Sequence, residues 1–136
     1  MPTLDDVVAA VPETERPSLP SFPNARHSAV LIALAPGPDG PEVLLTRRSW
    51  EMRSHKGEVS FPGGRTDPGE TPVQTALREA HEEVGLAPDD VDVRGELEHL
   101  NTVVSRSYIV PKVATVPGAM PLMPQTMEVD RVMWVP

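Results

Sequence analysis

No cysteine occurs among the 136 residues, which excludes disulfides, Cys-ligated zinc and thiol catalysis. Long apolar runs are missing as well. The longest, residues 29–35, is seven residues, where a helix crossing a bilayer needs roughly twenty. Cations are scarce: 12 Lys and Arg face 20 Asp and Glu, and a net charge of −8 argues against a duplex-binding surface, which sets many cations against phosphates. The N-terminus carries Asp5 and Asp6 where an export signal would place positive charge followed by an apolar stretch. A cytoplasmic protein without membrane or nucleic-acid partners is therefore expected. The composition, 39% hydrophobic and 24% charged, is that of an ordinary globular domain long enough to bury a core without staples.

The charge is unevenly placed. Residues 47–65 hold five cations (Arg47, Arg48, Arg53, Lys56, Arg65) against Glu51 and Glu58, whereas residues 67–98 hold ten carboxylates against Arg78 and Arg94. A basic segment feeding into an acidic one suits a phosphate-bearing ligand held partly through a divalent cation. Two solvated faces pointing different ways would give the same count.

The pattern predicts a short helix at 3–11 capped by Thr3, then an extended Pro-rich arm at 12–26, and a domain at 27–136. Residues 29–35 read as a strand buried on both faces and 42–46 as its hairpin partner, with the Pro- and Gly-rich 36–41 as the turn. Pro62-Gly63-Gly64 is expected to stop the short run 59–61. The helix after it has the fullest signals: Thr71 as cap with Gln74 three residues on, Pro72 at the first position, and Gly85 as terminator. Further strands are expected at 91–100, at 108–116 with Pro111 at an edge or bulge, and at 130–135.

On that helix Glu79, Glu82 and Glu83 stand at i, i+3 and i+4, so the three share a face, about 5–6 Å apart at Cβ. Such neighbours repel, and a divalent cation would supply the missing charge. Oxygen donors without His or Cys favour Mg²⁺ or Mn²⁺ over zinc.

Those glutamates lie within Gly64-x5-Glu70-x7-Arg78-Glu79-Ala80-x-Glu82-Glu83-x-Gly85-Leu86. This spacing resembles the box of the Nudix hydrolase family, G-x5-E-x7-R-E-U-x-E-E-x-G-U with U a bulky aliphatic residue. At roughly one in fifteen per position, matching its seven fixed letters has odds of about one in 10⁸ per starting point. The departure is Ala80, small where the family usually has a larger aliphatic. Upstream, Leu44-Leu45-Thr46-Arg47-Arg48-Ser49-x3-Arg53-x3-Gly57-x3-Phe61-Pro62-Gly63-Gly64 is similar to the signature of the coenzyme A pyrophosphatase branch.

The resemblance implies a Nudix α/β/α sandwich around a mixed sheet. It also implies Glu79 and Glu83 as principal metal ligands, Glu82 on a further ion and the Gly64 carbonyl completing the shell. Glu70 would pair with Arg78 to hold the turn on the helix, and Gly85 would end it. Attack of metal-activated water on a phosphoanhydride is implied, with Glu82, Glu83 and the late-loop Glu128 as catalytic carboxylates. Coenzyme A or its thioesters is the implied small-molecule substrate; ADP-ribose or another nucleoside diphosphate derivative is the alternative. A non-catalytic nucleotide-binding module is the rival class, against which the intact glutamates speak. Arg48, Arg53 and Lys56 are candidate phosphate contacts, although either arginine could instead pair with Glu51, Glu58 or a helix carboxylate. His55 and His81 lack a second His at ligand spacing and read as solvent-facing, and His27 and His99 as carrying no chemistry. Trp50 and Phe61 could stack on adenine or line the pantetheine path, with core packing the competing reading for Phe61. The family normally continues into a C-terminal helix, so the chain is expected to lack its C-terminal part. The exposed face would otherwise be covered by the N-terminal helix or by a partner subunit in a homodimer.

Overall fold

The computed structural model describes residues 2–20, 23–102 and 106–136; positions 21 and 22 of the Pro-rich arm lie outside the described residues. Helix α1 (Leu4–Ala9) carries the expected Thr3 capping box. Strands β1 (Arg26–Gly37) and β2 (Gly40–Arg48) form an antiparallel hairpin with Gly37 opposite Gly40. Then come β3 (Val59–Ser60), β4 (Gly63–Arg65), α2 (Pro72–Val84), β5 (Asp92–Glu96), β6 (Leu100–Thr102), β7 (Ser107–Thr115) and β8 (Val129–Val135). One mixed sheet results. Parallel pairing of β1 with β7 forms its centre, and its other pairings are antiparallel. Among the described residues no helix is long and apolar enough to cross a membrane.

The first two strands separate part-way, and that divergence makes the site. β2 pairs with β1 only as far as Val43, opposite Leu34, and then with β3 at Thr46 and Arg47. β1 pairs with β4 over Ser28, Ala29 and Val30. A wedge therefore opens between the two strands, and the segment from β3 to β4 fills its floor. β3 does stop before Pro62, as expected, but the two glycines then open a further strand, β4, which was not expected. Gly63 lies so close to β1 that a Cβ would stand 2.4 Å from the Ala29 carbonyl oxygen, an approach that a residue without a side chain permits.

Helix α2 packs across one face of the sheet. Ala76, Ala80 and Val84 are buried against Ala29, Leu31, Ala33 and Leu44. Ala80 sits at an interface whose strand side is itself rich in alanine, so small residues on both sides draw the helix close. The opposite face is only half covered: Val30 and Ile32 are half-buried, which corrects the expectation that 29–35 is buried on both sides. Thr71 Oγ1 accepts from the Gln74 N–H at 3.2 Å and Gln74 Oε1 accepts from the Thr71 N–H at 2.9 Å. Thr71→Ala should lower stability by about 1 kcal/mol; a urea midpoint that does not move would show the cap to be idle.

Two further corrections concern β5 to β7. The expected strand 91–100 is broken into β5 and β6, and β7 is an interior strand, with β1 on one side and β5 and β6 on the other. Pro111 is tolerated there because its carbonyl accepts from Leu97 N–H at 3.1 Å. Its imide nitrogen thus faces the same side, where residues 97–99 interrupt the neighbouring ladder. His99 is not inert. It is buried, with Nε2 on Glu96 at 2.8 Å and Nδ1 on the Tyr108 hydroxyl at 2.6 Å, and Lys112 pairs with the same Glu96. A carboxylate only accepts, so Nε2 carries the proton. Burial pushes Glu96 up, but Lys112, the Arg16 N–H and His99 outweigh it and hold the carboxyl below its ordinary value. The same network pins the Pro-rich arm, through Arg16 N–H to Glu96 at 2.6 Å and Leu19 N–H to Tyr108 at 2.8 Å.

Candidate active site

Arg78 is the hub from which the site is built. Its guanidinium grips Glu70 with two hydrogen bonds, Nε to Oε2 at 2.7 Å and Nη2 to Oε1 at 3.0 Å, and Nη2 also reaches the Arg65 carbonyl at 3.0 Å. The loop between β4 and α2 is thereby tied to the helix. Glu70 has further donors in the Asp67 N–H and the Thr75 hydroxyl, at 3.0 and 2.7 Å. Arg78 first, then these two, pull its carboxyl down to about 2. Arg78 is raised in turn, chiefly by Glu70. The buried Thr75, between Glu70 and Thr66, was not anticipated from the sequence: it lies on the polar face of α2 with Arg78 and Glu79, and the loop folded over that face is what buries it.

The remaining donors of Arg78 go to the helix carboxylates, with Nη1 on Glu79 at 2.9 Å and on Glu82 at 3.2 Å. Glu79 lies against Gly64, where a Cβ would come within 2.6–2.8 Å of the carboxylate. Burial raises the Glu79 carboxyl against the opposing pull of Arg78. Glu83 is different. It accepts from the Gly63 N–H at 2.9 Å, and no cation pairs with it among the described residues. Burial pushes its carboxyl up to about 7; the Gly63 N–H opposes this, and Glu79, Glu128 and Glu82 add to it. No three of these carboxylates converge on one point among the described residues. The set is nevertheless hard oxygen throughout, short of positive charge at Glu83, and seated on a glycine backbone that leaves room beside Glu79. Those features fit a divalent cation.

A cleft of about 280 Å³ opens where β1 and β2 part, bringing Glu83, Glu128, Arg48, Phe61, His55 and Glu58 to one wall or another. Glu128 is placed by two backbone ties: the Gln125 N–H donates to the Glu83 carbonyl at 2.8 Å, and the Ser49 N–H donates to the Glu128 carbonyl at 2.7 Å. Arg48 reaches the cleft but spends Nε on the Ser54 carbonyl at 2.7 Å, so it bonds neither Glu51 nor Glu58 through that nitrogen. Arg53 and Lys56 are exposed on the loop 49–58 and do not line the cleft. Phe61 is not core: it is 36% exposed at the cleft, while Trp50 is 61% exposed with its ring over Gly57. His55, His81 and His27 are all exposed, as expected for the first two, and His55 also borders the cleft. Gly85 adopts φ +78° and ends α2, its N–H donating to the His81 carbonyl.

A family model described as NUDIX domain matches residues 25–136. Among curated proteins, Nudix hydrolase 3 of Caenorhabditis elegans is 45% identical over 100 residues, covering 73% of this chain and 40% of that protein. The uncharacterized Nudix hydrolase NudL of Photorhabdus laumondii is 44% identical over 115 residues, covering 83% of this chain and 60% of its own. The chain spans about half the length of the curated relatives it matches. Among solved structures, a Nudix hydrolase from M. Smegmatis, RenU, superposes with a TM-score of 0.67 at 28% identity, covering 84% of this chain and 72% of that one.

Proposed function

Because the chain belongs to the Nudix hydrolase family, we propose that it splits the pyrophosphate of coenzyme A or its thioesters into 3′,5′-ADP and 4′-phosphopantetheine or the acylated form. The observation that carries the substrate choice is the run from Leu44 to Gly64, which shares its last glycine with the catalytic box. The run spans the second half of β2, part of the cleft wall and the two glycines that meet Glu79 and Glu83. In this reading the protein acts on a small molecule in the cytoplasm.

Glu79, Glu82 and Glu83, with the Gly64 carbonyl, would hold Mg²⁺ or Mn²⁺. When bound, the ion supplies charge neutralisation and Lewis-acid polarisation of a phosphoryl oxygen. Glu128, from its exposed loop, accepts the proton of the attacking water. The water oxygen bonds to one phosphorus, the bridging P–O bond breaks, and the electron pair leaves with the other phosphate. Arg48 offers its remaining guanidinium N–H groups to the phosphates, for which the planar fork is suited. Phe61 presents an apolar surface to the adenine or the pantetheine chain. Arg53 and Lys56, exposed on the loop 49–58, would be the contacts for a separate 3′-phosphate projecting from the cleft.

Comparing coenzyme A with dephospho-coenzyme A in the presence of Mg²⁺ tests this. A charge-assisted contact to the 3′-phosphate is worth about 1.5–3 kcal/mol, so kcat/KM should fall roughly ten- to a hundredfold without it. Equal turnover of the two, or faster turnover of ADP-ribose, would reject the coenzyme A reading.

A further inference from the structure

The loop 49–58 is stitched shut more tightly than its polar sequence suggests. The Gly57 N–H donates to the Arg48 carbonyl at 3.0 Å, the Arg48 N–H to the Glu58 carbonyl at 2.8 Å, and the Arg48 side chain to Ser54. At its turn stands His55 with φ +56°, in the left-handed region that favours glycine and, among residues with side chains, asparagine, aspartate and histidine. Its Nδ1 lies 3.1 Å from Glu58 Oε1, and both residues line the cleft with Glu83, Glu128 and Arg48. Histidine is among the side chains that tolerate this conformation, and here it sets the solvent-accessible ring on the cleft wall beside the equally exposed Glu58.

We propose that His55, oriented by Glu58, contacts the substrate by donating a hydrogen bond from Nε2 to a phosphoryl oxygen; this rests on the function proposed above. Glu58 only accepts, so Nδ1 is protonated towards it, and donation from Nε2 as well makes the ring an imidazolium. The cation then lies between the Glu58 carboxylate and the phosphate. It joins Arg48 in offsetting substrate charge on the side of the cleft away from α2. Glu58 is a positioning residue in this arrangement. The sequence signal that pointed away from His55 was the lack of a partner histidine, which bears on metal binding and not on phosphate contact.

The test uses His55→Gly and His55→Asn, both compatible with the left-handed backbone, and Glu58→Gln. ADP binding is measured by calorimetry with Mg²⁺ present, beside coenzyme A turnover and thermal melts. Both His55 variants should bind ADP at least fivefold more weakly, with the melting temperature unchanged or raised. Glu58→Gln should weaken binding less, and adding it to His55→Gly should produce no further loss. Affinities within twofold of the wild type, or no ADP binding by the wild type, would overturn the assignment. Coenzyme A turnover by the wild type bears separately on the proposed function, so an active wild type with indifferent His55 variants rejects this inference alone.

Discussion

Glu83→Gln should reduce metal-dependent hydrolysis on the order of 10³-fold while making the metal-free protein more stable above neutral pH. Both effects have one origin. Glu83 is the carboxylate of α2 that Arg78 does not reach, and among the described residues its donor is the uncharged Gly63 N–H. In the folded chain its carboxyl is pushed from 4.5 up to about 7, first by burial and then by Glu79, Glu128 and Glu82. A carboxyl raised on folding binds its proton more tightly in the native state. Stability therefore declines as pH rises from 4.5 towards 7, and the full penalty is present above 7. After discounting for the partial exposure of the group, that penalty is about 2 kcal/mol. Glutamine keeps the acceptor for Gly63 and removes the charge. Melts in EDTA should thus show the variant above the wild type at pH 8 and level with it below pH 4.5. Retention of more than a tenth of wild-type kcat would exclude Glu83 from the machinery, whatever the melts show.

The legibility of this molecule divides along the range of its interactions. Helix α2 could be read to the residue because its determinants are local: Thr71 with Gln74, Pro72, and Gly85 in a left-handed turn all act within a few residues. The Glu79, Glu82 and Glu83 face follows from helical periodicity alone, and the pairing of Arg78 with Glu70 from the box. What escaped depends on where distant strands lie. That Gly63 joins a strand is decided by the proximity of Ala29, and that β7 is interior in spite of Pro111 is decided by the interruption at 97–99. His99 looked unremarkable because Tyr108, which meets its Nδ1, and Lys112, which pairs with its other partner Glu96, both come from the neighbouring strand. Lys112 inside an apolar run was the one local sign that a buried charge network existed. Apolarity alone leaves Phe61 open to core packing or to the ligand site, and the parting of β1 and β2 places it at the cleft.

The two adjacent glycines should separate folding from catalysis. Neither takes a left-handed φ, so alanine is allowed by the backbone at both, and what its Cβ meets decides the outcome. At Gly63 the new atom stands 2.4 Å from the Ala29 carbonyl oxygen and 2.7 Å from the Val30 Cα. Both belong to the central strand, which cannot yield without breaking the β1–β4 pairing. Gly63→Ala should therefore destabilise by about 3 kcal/mol, the upper part of the range for overpacked sites, and lower activity through loss of folded protein. At Gly64 the three atoms nearest the new one all belong to the Glu79 carboxylate, at 2.6–2.8 Å. That group ends a flexible side chain and can rotate away, so Gly64→Ala should shift the urea midpoint by less than about 1 kcal/mol. The displaced carboxylate is then out of position for the ion it would help to hold. A shift of about 1 Å at such a group is enough for a loss on the order of 10²-fold in kcat. Raising Mg²⁺ should recover part of that loss in Gly64→Ala and none in Gly63→Ala. If Gly64→Ala unfolds as readily as Gly63→Ala, Glu79 is fixed more rigidly than its contacts imply. If Gly64→Ala retains full activity, the glycine under Glu79 has no part in the chemistry.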